Sequence, residues 1–162
     1  MKPLRSLRLL IVEDEALLAM DLEMMIEDAG HLVVGEAACL ADMDRLDDDI
    51  DPEVAFVDIQ LADGSSGLDV CEQIRERWPS TVVIFVTANP KMAAVDLHGA
   101  HGLIAKPFSR AGFIAAMRYL NKGISDPPPD SDPPAALSLS RAVAADWSKP
   151  REASLRGFQH WN

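Results

Sequence analysis

Glu13, Asp14 and Glu15 stand side by side in RLLIVEDEALL (8–18), directly after four apolar residues. Carboxylates about 4 Å apart repel by roughly 4 kcal/mol at an effective dielectric near 20. Either the three acids open a helix in water, where acids favour the N-terminus, or a bound cation offsets the repulsion. Other residues bear on the choice. Asp58 follows the apolar run VAFV, Thr87 ends TVVIFVT, and Lys106 follows GLIA. Hard carboxylate oxygens suit Mg²⁺, which is typically held by one or two carboxylates, waters and phosphate oxygens. A carboxylate can also act as a nucleophile toward phosphorus, given charge neutralisation and donors for the equatorial oxygens. In that chemistry Asp58 is the nucleophile, and Asp14 with Glu13 holds the ion. Thr87 and Lys106 bind phosphoryl oxygens. No His, Cys or Ser stands beside a candidate base, so a hydrolase triad lacks support.

These residues need a scaffold that brings four strand ends together. The apolar runs predict strands at 7–12, 31–37, 53–59, 81–87 and 102–105. Between them, 3.6-residue periodicity predicts helices at 15–29, 66–78 and 109–122, a weaker one at 39–48 and a short one from Asn89-Pro90 to about His98. Gly30 suits a C-terminal cap, Ser66 with Asp69 a capping box, and Gly123 the position past the last helix. Alternating strands and helices imply an α/β, doubly wound parallel sheet with right-handed crossovers. Strands one, three and four are nearly continuous apolar runs, as expected when both faces are covered. Strands two and five suit edges. The order 2-1-3-4-5 satisfies this, and it places a switch point between strands one and three, where sites form.

The chain has 162 residues, 48% of them hydrophobic and 25% charged, with a net charge of −11. Such acidity argues against binding nucleic acid or an anionic membrane. No run approaches the ~20 apolar residues of a membrane span. Cys39 and Cys71 fit no metal or redox spacing and read as buried hydrophobes in a reducing cytosol. His98 and His101, beside Gly99 and Gly102, read as solvated. Met20, Met24 and Met25 read as part core and part partner-facing surface.

In order and position, IVEDE (11–15), FVDI (56–59), VTA (86–88) and KPF (106–108) resemble the CheY-like receiver domain of two-component response regulators. The resemblance spans about residues 5–122, and DIQLADGSSGLDV (58–70) is similar to alphaproteobacterial receivers. It implies phosphorylation of Asp58 by a histidine kinase or phosphotransfer protein, with Mg²⁺. It also implies the backbone carbonyl of Gln60 as a metal ligand, a cis Lys106–Pro107 peptide, and a shift of Thr87 that rearranges the face of the fourth helix, fifth strand and fifth helix. In receivers the first helix docks the histidine-bearing partner. Leu103 departs from the family, standing where many receivers carry a switching Tyr or Phe.

The expected organisation is a receiver domain over 1–123, followed by a proline-rich linker and a short aromatic, basic tail over 124–162. SDPPPDSDPP (125–134) reads as extended, and 135–147 as a weak helix. From 135 onward the charge is +2 (four Lys or Arg against two acids), whereas 1–123 carries −10 (eleven against 21). That contrast suits docking of the tail in cis, on a dimer mate or on another protein. The expected function is a cytoplasmic, stand-alone, non-enzymatic phosphoacceptor. It would work through a downstream protein partner without a DNA-binding output, and it leaves room for a homodimer. The rivals are an Mg²⁺-dependent phosphatase with an aspartyl-phosphate intermediate, a flavodoxin-like FMN carrier and a degenerate receiver acting as a scaffold. Gln60, where a haloacid dehalogenase would place a second Asp, disfavours the first. EDEA, where a phosphate loop would stand, disfavours the second. The presence of all five site residues disfavours the third.

Overall fold

The computed structural model describes residues 4–93 and 96–149. Five parallel strands, β1 (Arg8–Val12), β2 (Leu32–Ala37), β3 (Val54–Val57), β4 (Val82–Thr87) and β5 (Gly102–Ala105), lie in the order 2-1-3-4-5. A sixth, β6 (Leu137–Leu139), pairs antiparallel to β5. The central strands are apolar on both faces because helices cover both. Leu9, Ile11, Phe56 and Ile84 face α1 (Ala16–Asp28) and α4 (Arg110–Ser125). Leu10, Val12, Ala55, Val57 and Phe85 face the short α2 (Leu40–Met43) and α3 (Gly67–Arg77). This is the doubly wound arrangement expected from the apolar runs.

Local chemistry explains the element ends. The Leu68 amide donates to Ser66 Oγ at 3.1 Å, capping α3, and Pro79 follows its end. Gly30 takes φ +90° two residues after α1 ends, the left-handed backbone that glycine adopts without strain. Cys39 and Cys71 are buried free thiols, and burial pushes the Cys71 thiol up to about 11.

Four local expectations fail. The helix expected over 39–48 shrinks to the four residues of α2 plus a 3₁₀ turn at Asp48–Ile50. Arg77 donates to the Met43 and Leu46 carbonyls at 2.6 and 2.7 Å, tying this segment to the end of α3. The short helix expected to His98 is replaced by 3₁₀ turns at Pro90–Ala93 and Asp96–Gly99, with Leu97 and His98 at positive φ. His101 is buried rather than solvated. Its Nδ1 accepts from the Val83 amide at 2.9 Å, and burial drives its pKa down to about 4. Gly123 does not end the last helix. It lies inside α4, where the Trp147 ring occupies the space a Cβ would fill.

The segment 135–147 also differs from a single helix. It forms β6 and then α5 (Arg141–Trp147), whose N-terminus is capped by Ser140 Oγ accepting from the Val143 amide at 3.3 Å. With β6 in place, β5 is an internal strand and not the expected edge. Val143 and Trp147 are buried, and Trp147 meets Tyr119 edge to face at 5.6 Å.

Candidate phosphoacceptor and metal site

Register sets the site. Val12 of β1 lies opposite Val57 of β3, so the residues that follow, Glu13–Asp14 and Asp58, leave neighbouring strands at the same level. The Glu13 amide donates to the Ala37 carbonyl and the Asp58 amide to the Val12 carbonyl, both at 2.9 Å. These bonds carry the ladder one residue past the strands and pin both acids. On the other side Thr87 lies opposite Ala105, and the Lys106 amide donates to the Thr87 carbonyl at 2.8 Å.

Four of the sequence-derived residues converge. Glu13, Asp14 and Asp58 each offer a carboxylate oxygen, and these oxygens lie within 4.8 Å of one another. Glu13 and Asp58 are buried, whereas Asp14 is exposed. Lys106 Nζ bridges the two buried acids, donating to Glu13 Oε1 at 2.8 Å and to Asp58 Oδ2 at 2.9 Å. Burial pushes the Glu13 carboxyl above its usual value, against hydrogen bonds from Lys106 and the Glu15 amide. Burial pulls the Lys106 ammonium down, but the hydrogen bonds to Glu13 and then Asp58 outweigh it and hold its pKa above the ordinary value. The second oxygen of Glu13 accepts from the Glu15 amide at 3.1 Å. Glu15 is exposed and is not among the acids that converge, in line with leaving it out of the metal set.

Thr87 is buried at the end of β4, and its Oγ1 accepts from the Asn89 amide at 3.1 Å. The Gln60 amide donates to Asp58 Oδ1 at 3.3 Å, so the backbone two residues past Asp58 folds back onto its carboxylate. Lys106–Pro107 is cis, as the resemblance implied. Leu103 is buried on the α3 side of the sheet.

Two buried carboxylates and one exposed one, with oxygens this close together, fit a small hard cation. The Lys106 ammonium already supplies one positive charge. A site of this composition can hold a small cation at Glu13, Asp14 and Asp58, and it presents an Asp58 oxygen beside the Lys106 ammonium.

One site-shaping residue was missed in the sequence. The Gly67 amide donates to the Ile59 carbonyl at 2.7 Å, and a Cβ on Gly67 would overlap the Asp58 carbonyl. The signal was the glycine directly after the Ser66 cap, but its meaning depends on how closely α3 approaches the end of β3.

A family profile described as the response regulator receiver domain matches residues 9–118. The phyllosphere-induced regulator PhyR of Methylorubrum extorquens is 40% identical over 111 residues, which are 67% of this chain and 41% of that protein. The chain thus corresponds to about two fifths of that relative's length. The solution structure of the Erythrobacter litoralis PhyR receiver domain superposes with a TM-score of 0.64 at 32% identity, covering 72% of this chain and 90% of that one. The crystal structure of PhyR from Brucella abortus gives 0.55 at 41% identity, over 65% and 43%.

Proposed function

The chain belongs to the response regulator receiver domain family, and from that premise we propose that it is a phosphoacceptor switch that takes its phosphoryl group on Asp58. The donor is a histidine kinase or phosphotransfer protein, and the output is contact with a downstream protein. The observation that carries this reading is the shared ammonium. Lys106 lies within 2.9 Å of both buried acids, at the point where three carboxylates converge.

An Asp58 oxygen attacks phosphorus as the P–N bond of a phosphohistidine breaks, and the departing imidazole takes up a proton. Lys106 then exchanges its contact with the Asp58 carboxylate for a phosphoryl oxygen, keeping Glu13 as its second partner. The Thr87 hydroxyl donates to another phosphoryl oxygen. Glu13, Asp14, Asp58 and the Gln60 backbone carbonyl would hold Mg²⁺, which would supply charge neutralisation for an incoming phosphoryl group.

The donor surface is the outer face of α1. Met20 and Met24 are each 58% exposed and Leu17 is 77% exposed. Beside them lies a cavity of about 550 Å³, lined by Leu18, Asp21, Met24, Pro107, Phe108 and Arg110. Exposed apolar side chains around a concavity mark an interaction surface, and Lys106 reaches the same cavity from the site.

Incubation with Mg²⁺ and a small phosphodonor, read by intact mass, tests the reading. Wild type gains one phosphate and Asp58→Asn gains none. Label retained by the mutant moves the acceptor elsewhere, and an unlabelled wild type removes the proposal. Sustained release of phosphate from simple esters would instead favour a phosphatase.

A further inference from the structure

We propose that the cavity at the amino ends of β1 and β2 binds a small phosphate-bearing molecule, at a site separate from the phosphoacceptor rim. The proposal does not depend on phosphorylation of Asp58.

The first observation is where the cavity lies. About 560 Å³ of space opens between the N-terminal segment, the turn after α1 and α4, with Arg5, Asp28, His31, Ile114, Arg118 and Asn121 in its lining. Clefts of that size accept small molecules. Arg5 precedes β1 and His31 precedes β2, whereas Glu13 and Asp14 follow β1. The five residues of β1, about 16 Å of strand, therefore separate the cavity from the rim.

The second observation is that the walls are held in place. The Leu7 amide donates to His31 Nδ1 at 3.0 Å. Asn121 is 3% exposed, and its Nδ2 donates to the Arg5 carbonyl at 2.9 Å. Ser125 Oγ donates to Asn121 Oδ1 at 2.6 Å and fixes the orientation of that amide. The N-terminal segment is thus pinned both to the start of β2 and to α4.

The third observation is an excess of donors. His31 accepts at Nδ1, so its neutral ring carries the proton on Nε2. Burial lowers the pKa of His31, against the pull of the Glu53 carboxylate, and favours that neutral form. The Nε2–H has no acceptor among the described residues. The Asn121 amide has two N–H groups and gives one of them to Arg5. Arg5 is paired with Glu53 and Arg110 with Asp28, but Arg118 makes no ion pair among the described residues.

The lining therefore offers an uncompensated guanidinium and two spare N–H groups, while its carboxylate, Asp28, is already held by Arg110. What it lacks is acceptors. A phosphate group supplies three strong acceptor oxygens, and the guanidinium fork matches it. The chain's net charge of −11 repels a long polyanion, so the ligand is small. Leu4 and Ile114 provide apolar wall for its carbon portion.

The test titrates glycerol 2-phosphate into the ¹⁵N-labelled full chain at pH 7.5, at constant ionic strength and without divalent ions, and follows the amide resonances by NMR. A parallel titration uses succinate. The Ser6, Leu7, Gly30 and His31 amides are expected to move on one saturating curve, while those of Asp58 and Lys106 stay still. Arg118→Gln should raise the dissociation constant at least tenfold. Arg118 is exposed and unpaired, so this variant keeps its fold, which its own spectrum verifies. Arg45→Gln removes an exposed charge from α2's side of the sheet and should change the constant less than twofold. Succinate should bind at least tenfold more weakly than the phosphate ester.

Shifts that never saturate, or that centre on Asp58 and Lys106, overturn the proposal. So does an Arg118→Gln protein that binds like wild type, or equal weakening by the two arginine variants, which would mark a general charge effect. Succinate binding as tightly as the ester would remove the assignment to phosphate.

Discussion

Lys106 Nζ stands 2.8 Å from Glu13 Oε1 and 2.9 Å from Asp58 Oδ2, so a single ammonium is shared by two buried acids that leave different strands. Replacing it leaves both carboxylates desolvated and facing each other. Lys106→Met is expected to lower stability by roughly 1–3 kcal/mol, the cost of buried polar groups left without partners. Urea unfolding without divalent ions measures this, and added Mg²⁺ should recover more stability in the mutant than in wild type. An unchanged midpoint would mean the bridge contributes nothing.

Asp14 allows the cation to be separated from the fold. Its carboxylate is exposed, in contrast to those of Glu13 and Asp58. Asp14→Asn is expected to change metal-free stability by less than about 0.5 kcal/mol, as for ordinary surface substitutions. Wild type should gain about 2.7 kcal/mol when Mg²⁺ reaches a hundred times its dissociation constant, and the mutant should lose most of that gain. Thermal unfolding across an Mg²⁺ titration checks it. Equal metal response in the two proteins would remove Asp14 from the ligand set.

Gly67 supplies a steric test. A methyl group there meets the backbone of Asp58 and of Ile59, neither of which can swing aside as a side chain can. Gly67→Ala should cost about 1–3 kcal/mol, as overpacking typically does. It should also slow labelling of Asp58 by a small phosphodonor, because the collision falls on the carbonyl of that residue. Labelling at the wild-type rate would show that α3 can retreat without disturbing the site.

His101 predicts a pH dependence with a definite sign. Burial lowers its pKa from 6.5 to about 4, and Nδ1 must be unprotonated to accept the Val83 amide. Between those values the unfolded chain binds the proton and the folded chain does not. The contribution to stability is therefore full above pH 6.5 and is lost as pH falls toward 4, on the order of 3 kcal/mol in total. Denaturant midpoints across that window measure it, and His101→Gln should flatten the slope. A wild-type midpoint indifferent to pH there would contradict the buried neutral imidazole.

The strand ends were legible because two simple signals coincide there. Apolar runs as continuous as VAFV and TVVIFVT require cover on both faces, and a chemically active residue follows directly at Asp58 or stands last at Thr87. The order 2-1-3-4-5 is reproduced, although β5 is not the edge that its short run suggested, because β6 pairs beyond it. Glu13, Asp14, Asp58 and Lys106 converge as the sequence predicts because parallel register admits few ways to align four strand ends. Gly123 and His101 misled the reading, since a glycine after a periodic run looks like a stop and a histidine among glycines looks solvated. Both are explained by neighbours distant in the chain, the Trp147 ring and the Val83 amide.

Local pattern alone therefore determined the five parallel strands and which acids, hydroxyl and ammonium stand at their ends, because periodicity and strand-end position are properties of neighbouring residues. Tertiary structure decided that Lys106 is shared between Glu13 and Asp58, that Gly67 must be small, and that residues 137–147 return to cover β5 and α4. The physical reason is that these depend on distances between segments far apart in the chain, where packing and backbone pairing outweigh local preference.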